Sequence, residues 1–392
     1  MPAAVSRDTV PAVRLADILV DQATRLARWR LPLRHLRVLQ QIAACRTPAL
    51  GGHRQWCDGC GYERYVYHSC RNRHCPQCQT HAKEAWREAR QAELLPVPYF
   101  HQVFTLPHEL NPWVLASERN QRALLKLLFD AAAGTLLKFG RQELGGEMGF
   151  TLVLHTWDQQ LRPHFHVHGL IAAGALSPGQ RQWIAGGNQF LFPVRALSKV
   201  YRGKFLSGFQ ELIDQQQLDV PASQGELPPA KLLRVLRRKA WIVYSKAPFR
   251  SPQQVLDYLS RYTHRVAISH HRLVKYEDGQ VTFAYRDRAD GDRRKHCRLD
   301  SPTFLRRFLN HVLPDRFTRL RHYGFLANRH KAGKLARIRQ LLGVRPSPSG
   351  TNRDLAAWLR QVVGLDVARC PCCRDELLEE RLPPAPETNR LP

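Results

Sequence analysis

Three histidines at every second position, His164, His166 and His168, lie in the run Arg162-Pro163-His164-Phe165-His166-Val167-His168-Gly169. Successive side chains of a strand point to opposite faces, so a strand here presents the three imidazoles together and turns Phe165 and Val167 the other way. Imidazole is the commonest metal ligand, and several on one rigid strand supply half of a metal site. The plainer alternative, solvated polar positions on the open face of an antiparallel strand, suits one histidine better than three in alternation. A second group is Tyr258 and Tyr262. They follow Ser251-Pro252-Gln253-Gln254, a helix start with Ser as N-cap, Pro at the first helical position and Gln three residues after the cap. Four apart on a helix, the two phenols share a face and can act as two nucleophiles. Alternatively, they are core-edge residues with buried rings and wet hydroxyls.

The third group is sulfur. Cys57-Asp58-Gly59-Cys60 and Cys75-Pro76-Gln77-Cys78 are two CxxC knuckles around a short aromatic and basic insert, which suits a tetrahedral zinc site of four thiolates. Cys70, His74, His53 and His68 lie close enough to replace a knuckle cysteine or to complete a second site. Cys370, Cys372 and Cys373 are three further thiols with no partner knuckle nearby, and no zinc site is assigned to them. The ten cysteines are clustered rather than spread as in a disulfide scaffold, which favours metal binding. Tyr62-Glu63-Arg64-Tyr65-Val66-Tyr67, followed by Arg71 and Arg73, interleaves rings with positive charge as base stacking and phosphate contact require; a structural ribbon also needs aromatics to cover so small a core.

These groups need elements to position them. Residues 99–106 read as a strand stopped by Pro107. A long helix is expected over about 112–144. Phe150-Thr151-Leu152-Val153-Leu154-His155-Thr156-Trp157 then forms a hairpin with the histidine strand, which makes His155 a candidate third ligand or a supporting partner behind the ligands. Helices are expected over about 80–95 and 196–217, a strand at 239–244, and a hairpin of 273–276 against 281–285 turning through Glu277-Asp278-Gly279. The stretch 286–298 reads as very basic, and 301–342 as helices with Arg and Lys on several faces. The domains expected are 1–95 (helical plus zinc-binding), 96–300 (catalytic, with the tyrosine helix), 301–345 (basic and helical) and a tail, 346–392.

The 392 residues carry 60 Lys+Arg against 33 Asp+Glu, a net charge of +27, with 43% hydrophobic residues to build cores. Such an excess is a footprint for a polyanion, and nucleic acid is the commonest large one. No apolar run is long enough to span a bilayer and no signal-peptide pattern opens the chain, so a soluble intracellular protein is expected.

Strand histidines, a divalent metal and helical tyrosines make one coherent chemistry: polarisation of a DNA phosphate and in-line attack by a phenol, giving a 5′-phosphotyrosine and a free 3′-hydroxyl. With these residues in view, the chain resembles the two-tyrosine HUH transposases of rolling-circle insertion sequences. The resemblance is carried by Phe104-Thr105-Leu106-Pro107-His108, Leu154-His155-Thr156-Trp157, His166-Val167-His168 with Gly174-Ala175-Leu176-Ser177, and Tyr258-Leu259-Ser260-Arg261-Tyr262-Thr263-His264-Arg265-Val266-Ala267. It extends to Arg321-His322-Tyr323-Gly324-Phe325-Leu326 and to Ser69-Cys70-Arg71-Asn72-Arg73-His74-Cys75-Pro76-Gln77-Cys78, which is similar to the family's zinc-binding domain.

The resemblance implies an α+β catalytic fold, an antiparallel sheet flanked by helices. It implies His166 and His168 as ligands of Mg2+ or Mn2+, Tyr258 and Tyr262 as nucleophiles, structural Zn2+ in the N-terminal domain, and single-stranded element ends and target DNA as partners. His164 extends the motif, with metal or DNA open to it. Arg71, Arg73, Arg261 and Arg265 are the expected DNA contacts. A plasmid relaxase or replication initiator is the nearest alternative; the phosphate loop GxxxxGK[ST] of the helicase-fused versions is absent. A non-catalytic zinc regulator would explain charge and zinc but not the strand histidines or paired tyrosines.

Overall fold

The computed structural model describes residues 13–187, 189–222, 228–246, 248–249, 254, 256–257, 267–344, 355–360 and 364–385. The described chain opens on helices α1 (Leu15–Asp21), α2 (Ala23–Ala27) and α3 (Leu33–Ala43), a hairpin of β1 (Gly52–Trp56) and β2 (Glu63–Tyr67), and α4 (Thr80–Gln91). Next come β3 (Tyr99–Thr105), α5 (Asn111–Leu115), α6 (Glu118–Glu143), β4 (Glu147–Trp157), β5 (Pro163–Leu176) and β6 (Trp183–Ala185). Helices α7 (Val194–Asp214) and α8 (Pro229–Arg238) and strand β7 (Val243–Lys246) follow. A meander of β8 (Leu273–Glu277), β9 (Gln280–Asp287) and β10 (Arg293–Asp300) leads into the helix Ser301–Leu309. Strand β11 (Leu320–Gly324), the helices Lys331–Leu341 and Leu355–Trp358, and β12 (Leu378–Leu382) complete the order.

The centre is an antiparallel sheet in the order β11-β4-β5-β3-β7, with β6 beside the far end of β5. Alternation in β3, β4 and β5 sends Phe100, Phe104, Leu152, Leu154, Phe165 and Val167 to one face, where they pack with Leu124, Leu128 and Phe129 of α6 and Phe205 and Phe209 of α7. Each such side chain, fully buried, contributes about 1.5–3 kcal/mol. Helix α6 starts where Ser117 caps it, its Oγ accepting the Asn120 N–H at 3.2 Å. The other face carries Tyr99, Val153, Leu170 and Ala172, covered by Leu335 and Ile338 of the helix Lys331–Leu341 and flanked by Trp86 of α4. The histidines share this face, toward the start of β5. A further core joins α1 and α3 to the β8–β10 meander and to Phe304, Leu305 and Phe308, and includes Cys45 and Cys75.

The expected α+β class, a central antiparallel sheet flanked by helices, is the one found. Strands β1, β2, β6, β10, β11 and β12 were not anticipated, and the last three change the reading most. β10 lies inside the stretch read only as basic: Arg293-Arg294-Lys295-His296-Cys297-Arg298-Leu299-Asp300 is poor in apolar alternation, and pairing with β9 decides its conformation. β11 falls in a region read as helical, so 301–345 is no separate unit; it supplies a strand of the central sheet. Gly324 ends β11 with φ +60°, where an added Cβ would run into the Met148 carbonyl, and Phe325 turns back to lie over Gly149. β12, in the expected tail, pairs with β1 to complete the order β12-β1-β2. Among the described residues no helix is long and apolar enough to cross a membrane.

Candidate metal centres

In the sheet register His166 pairs with His155 on β4 and with Thr105 on β3, while His168 stands opposite Val153 and Val103. Directly opposite residues share a face, so His155, His166 and His168 converge, with ring nitrogens that all lie within 4.8 Å of one another. His166 Nε2 is 3.0 Å from His168 Nε2. His155 is held by ring contacts, stacked on Trp157 at 4.7 Å between centroids and edge-on to His168 at 4.3 Å.

His164, left open between metal and DNA, stands next to a bulge. His155 pairs with His166 but Trp157 pairs with Pro163, so two steps on β4 answer three on β5. His164 is exposed at the rim beside this bulge, its ring 4.7 Å from that of His166 but not among the three clustered ligands. What His164 provides is its carbonyl, which lies 2.9 Å from His166 Nδ1. A carbonyl only accepts, so Nδ1 carries the proton and Nε2 keeps its lone pair for a cation.

His101 on β3 was not singled out from the sequence. Its Nε2 lies 2.8 Å from His168 Nδ1, with the two rings stacked at 5.1 Å. The pair admits two proton placements. When His168 Nδ1–H donates to His101, His168 Nε2 is left as a metal ligand. Burial pushes His166 down to about 3 and His101 down to about 4, with Lys246 and Arg288 adding to the His101 shift, and it holds His168 well below the usual histidine range. All three are therefore neutral at physiological pH, as ligands must be. Arg288, after β9, lies close enough for its charge to act on His101, His164, His166 and His168. Phe249 lies 6.5 Å from the His101 ring, and Asp257 Oδ1 is 3.5 Å from Arg87 of α4. Tyr258 and Tyr262 lie outside the described residues, as do Arg261 and Arg265.

The donor set fits a divalent cation. It consists of three buried imidazoles, and two nitrogens bonded at about 2.1 Å and at right angles stand about 3.0 Å apart, as His166 and His168 do.

The cysteines form two quartets, so the expected grouping of Cys57, Cys60, Cys75 and Cys78 into one site does not hold. Cys75 and Cys78 meet Cys45 and Cys70; Cys57 and Cys60 meet Cys370 and Cys373. The two knuckles part because Cys57 and Cys60 sit at the tip of the β1–β2 hairpin, whereas Cys45 and Cys75 belong to the core around α3. In the first quartet Cys45 and Cys75 are 3.7 Å apart, as are Cys70 and Cys78, close to the edge of about 3.8 Å of a tetrahedron with Zn–S bonds of about 2.3 Å. The other alternates have different partners: His53 Nδ1 lies 2.7 Å from Glu379, and His74 Nδ1 lies 3.0 Å from Asn72 Oδ1 while its Nε2 accepts the Leu313 N–H. His68 contacts the His53 ring edge-on at 5.1 Å. Arg73 donates to the carbonyls of Phe317 and Pro314 in the loop before β11, which ties the first quartet to that loop; Arg71 is exposed.

The comparisons with known proteins identify the family. The family model described as "Putative transposase" matches residues 149–333, which include all three clustered histidines, and one described as "Transposase zinc-binding domain" matches residues 19–106. The chain is 43% identical over 370 residues to "Putative transposase y4qJ" of Sinorhizobium fredii, covering 92% of each protein. It is 27% identical over 352 residues to the "Transposase for insertion sequence element IS801" of Pseudomonas savastanoi pv. phaseolicola, covering 86% of this chain and 81% of that one. Among solved structures, the conjugative relaxase TrwC with oriT DNA is similar in its metal-free form (17% identity, 42% of this chain and 70% of that one, TM-score 0.22). Its metal-bound form gives 15% identity, 41% and 69% coverage and a TM-score of 0.23, and at such scores nothing is inferred from the likeness. On the sequence relationships, the chain belongs to the two-tyrosine HUH transposases of rolling-circle insertion sequences that carry an N-terminal zinc-binding domain.

Proposed function

We propose that His155, His166 and His168 hold a divalent cation, Mn2+ or Mg2+, at which this transposase nicks and rejoins single-stranded DNA at the ends of its mobile element. The observation that carries this reading is the convergence of three buried imidazoles within 4.8 Å, inside the segment matched to the transposase family. When bound, the cation supplies positive charge to the non-bridging oxygens of the scissile phosphate. His166 and His168 orient their Nε2 lone pairs for it, His101 and the His164 carbonyl fix their protons, and Trp157 holds His155 in place. Arg288 adds a cationic side for the phosphate.

Tyr258 and Tyr262 are the proposed nucleophiles. The phenol oxygen forms a bond to phosphorus, the bond from phosphorus to the 3′-oxygen breaks, and the phenol proton ends on the solvent or the released 3′-hydroxyl. One P–O bond replaces another, so a later attack by a free 3′-hydroxyl rejoins strands without ATP. A second tyrosine allows one strand to be held while another is resolved. A phenol of pKa about 10 needs the nearby positive charge to lower the cost of losing its proton. Acting on nucleoid DNA, the protein would work in the cytoplasm.

The test is incubation of the full chain with a labelled single-stranded oligonucleotide bearing the element's end, with and without Mn2+. A covalent protein–5′-DNA adduct is expected, lost in Tyr258→Phe plus Tyr262→Phe and in His166→Ala plus His168→Ala. An adduct that persists in the double phenylalanine variant overturns the nucleophile assignment.

A further inference from the structure

We propose that Cys57, Cys60, Cys370 and Cys373 form a second four-thiolate zinc site, and that this site clasps the segment from Cys370 to Leu382 onto the N-terminal β-hairpin. The match to the transposase zinc-binding domain ends at residue 106 and contains only half of these ligands.

The two halves are built alike although more than 300 residues separate them. Each is a CxxC, Cys57-Asp58-Gly59-Cys60 and Cys370-Pro371-Cys372-Cys373. In each, the first cysteine N–H donates to the carbonyl five residues on: Cys57 to Tyr62 at 2.9 Å, Cys370 to Asp375 at 2.7 Å. The first cysteine carbonyl then accepts from the N–H four residues on: Gly61 at 2.9 Å, Arg374 at 3.1 Å. That fourth residue is left-handed in both, Gly61 at φ +70° and Arg374 at φ +69°. Arginine adopts this backbone rarely. Two unrelated turns have no reason to share that geometry, whereas two knuckles folding their sulfurs around one ion do. The Cys372 N–H also points at Cys370 Sγ, 3.4 Å away, as a donor that stabilises a thiolate.

The sulfurs face each other. Cys57 Sγ lies 3.3 Å from Cys373 Sγ and Cys60 Sγ 3.5 Å from Cys370 Sγ, with all four inside 4.8 Å. These separations approach the tetrahedral edge of about 3.8 Å and are far beyond a disulfide bond of about 2.05 Å. Cys57 and Cys370 are fully buried and Leu377 and Tyr62 cover them, so the site has a dry floor and an outer side at Cys60 and Cys373. Beyond the knuckle, β12 runs antiparallel to β1 from Gly52↔Leu382 to Trp56↔Leu378. Glu379 reaches His53 and Gln55. The strand itself is mostly exposed. So narrow a sheet buries too little to hold a strand alone, and metal ligation supplies what is missing.

The experiment uses the purified full chain, with metal counted by native mass spectrometry and elemental analysis. In a His166→Ala plus His168→Ala background, which removes the histidine cluster as a competing zinc site, two zinc ions per chain are expected, falling to one in Cys370→Ser plus Cys373→Ser and equally to one in Cys57→Ser plus Cys60→Ser. Hydrogen exchange at residues 378–382 should speed up at least ten-fold in those variants while the central sheet keeps its protection. Replacing zinc by Co2+ in the unmutated chain should give tetrahedral thiolate bands that saturate at two equivalents, a measurement that needs no variant to fold. One zinc in the unmutated chain, saturation at one Co2+, two zincs retained in Cys370→Ser plus Cys373→Ser within that background, or unchanged exchange at 378–382 on losing the ion would each overturn the proposal.

Discussion

Replacing His101 by Phe separates the holding of the metal from the metal's own chemistry. The substitution keeps a ring of similar volume between β3 and Phe249 but removes the nitrogen that lies 2.8 Å from His168 Nδ1. His168 then loses this acceptor at a position only 5% exposed, where an unanswered N–H costs about 1–3 kcal/mol. The tautomer with the proton on Nδ1, the one that frees Nε2 for a cation, bears that cost. Loss of such a supporting bond weakens metal binding about 10–100-fold, which is about 1.4–2.7 kcal/mol. Calorimetric titration with Mn2+ measures it directly. Nicking rates across Mn2+ concentrations provide the second readout: the midpoint should rise by the same factor, while the rate at saturating Mn2+ stays within about three-fold. His101→Gln, whose carbonyl can accept from Nδ1–H, should recover most of the affinity. Unchanged Mn2+ affinity in His101→Phe, or an equal loss of rate that no amount of Mn2+ restores, would refute the reasoning.

The bulge before His166 predicts that His164→Ala leaves Mn2+ affinity within about two-fold, whereas His155→Ala lowers it at least 100-fold; the same titration distinguishes them. Because imidazole nitrogen suits transition ions better than Mg2+, the cluster should bind Mn2+ more tightly than Mg2+, and Co2+ more tightly still, by competition titration. His311 is buried, with its Nε2 3.0 Å from the Leu161 carbonyl and Nδ1 3.1 Å from Thr156 Oγ1, and burial pushes it down to about 4. Below an unfolded pKa of about 6.5 the unfolded chain takes up a proton that the folded chain refuses. This contribution is therefore complete above pH 6.5 and lost as pH falls toward 4, on the order of 3 kcal/mol. Urea unfolding at pH 7 and pH 4.5 should show a flatter profile in His311→Gln than in the parent. DNA affinity should fall linearly with the logarithm of salt concentration, and Arg288→Ala should reduce the slope for single strands by about 0.7; a flat salt profile would exclude the basic surface as the binding face.

The hairpin of β4 and β5 and the face of its histidines were legible because period-2 alternation survives in the sequence wherever one sheet face is apolar. The exposed, rim position of His164 was not, since the bulge beside it is a fact of pairing: Pro163 and Trp157 had to be seen opposite each other before it could be known. His101 was hidden for a related reason. It lies on a strand recognised as such, but only the β3–β5 register brings it to His168. The cysteine knuckles announced metal by spacing alone, yet spacing says nothing about which knuckle meets which, and the partners of Cys57 and Cys60 lie some 310 positions away. Charged strands were the other blind spot. β10 is held by its neighbour β9 rather than by its own composition, and β11 by the sheet edge and the turn at Gly324.

The pairing of β1 with both β2 and β12 also sets a schedule for synthesis. A ribosome adding about 5–20 residues per second releases β2 and then needs roughly 15–60 s more before Leu378 emerges. Throughout that interval the outer edge of β1 is open to any passing strand, and Cys57 and Cys60 are bare thiols. An mRNA cut short, or a copy of the element broken, between the codons for Gly324 and Cys370 would therefore yield a chain whose central sheet has every strand but whose first ribbon cannot close. Completion of the N-terminal ribbon is in this sense a receipt for having read the message through to β12.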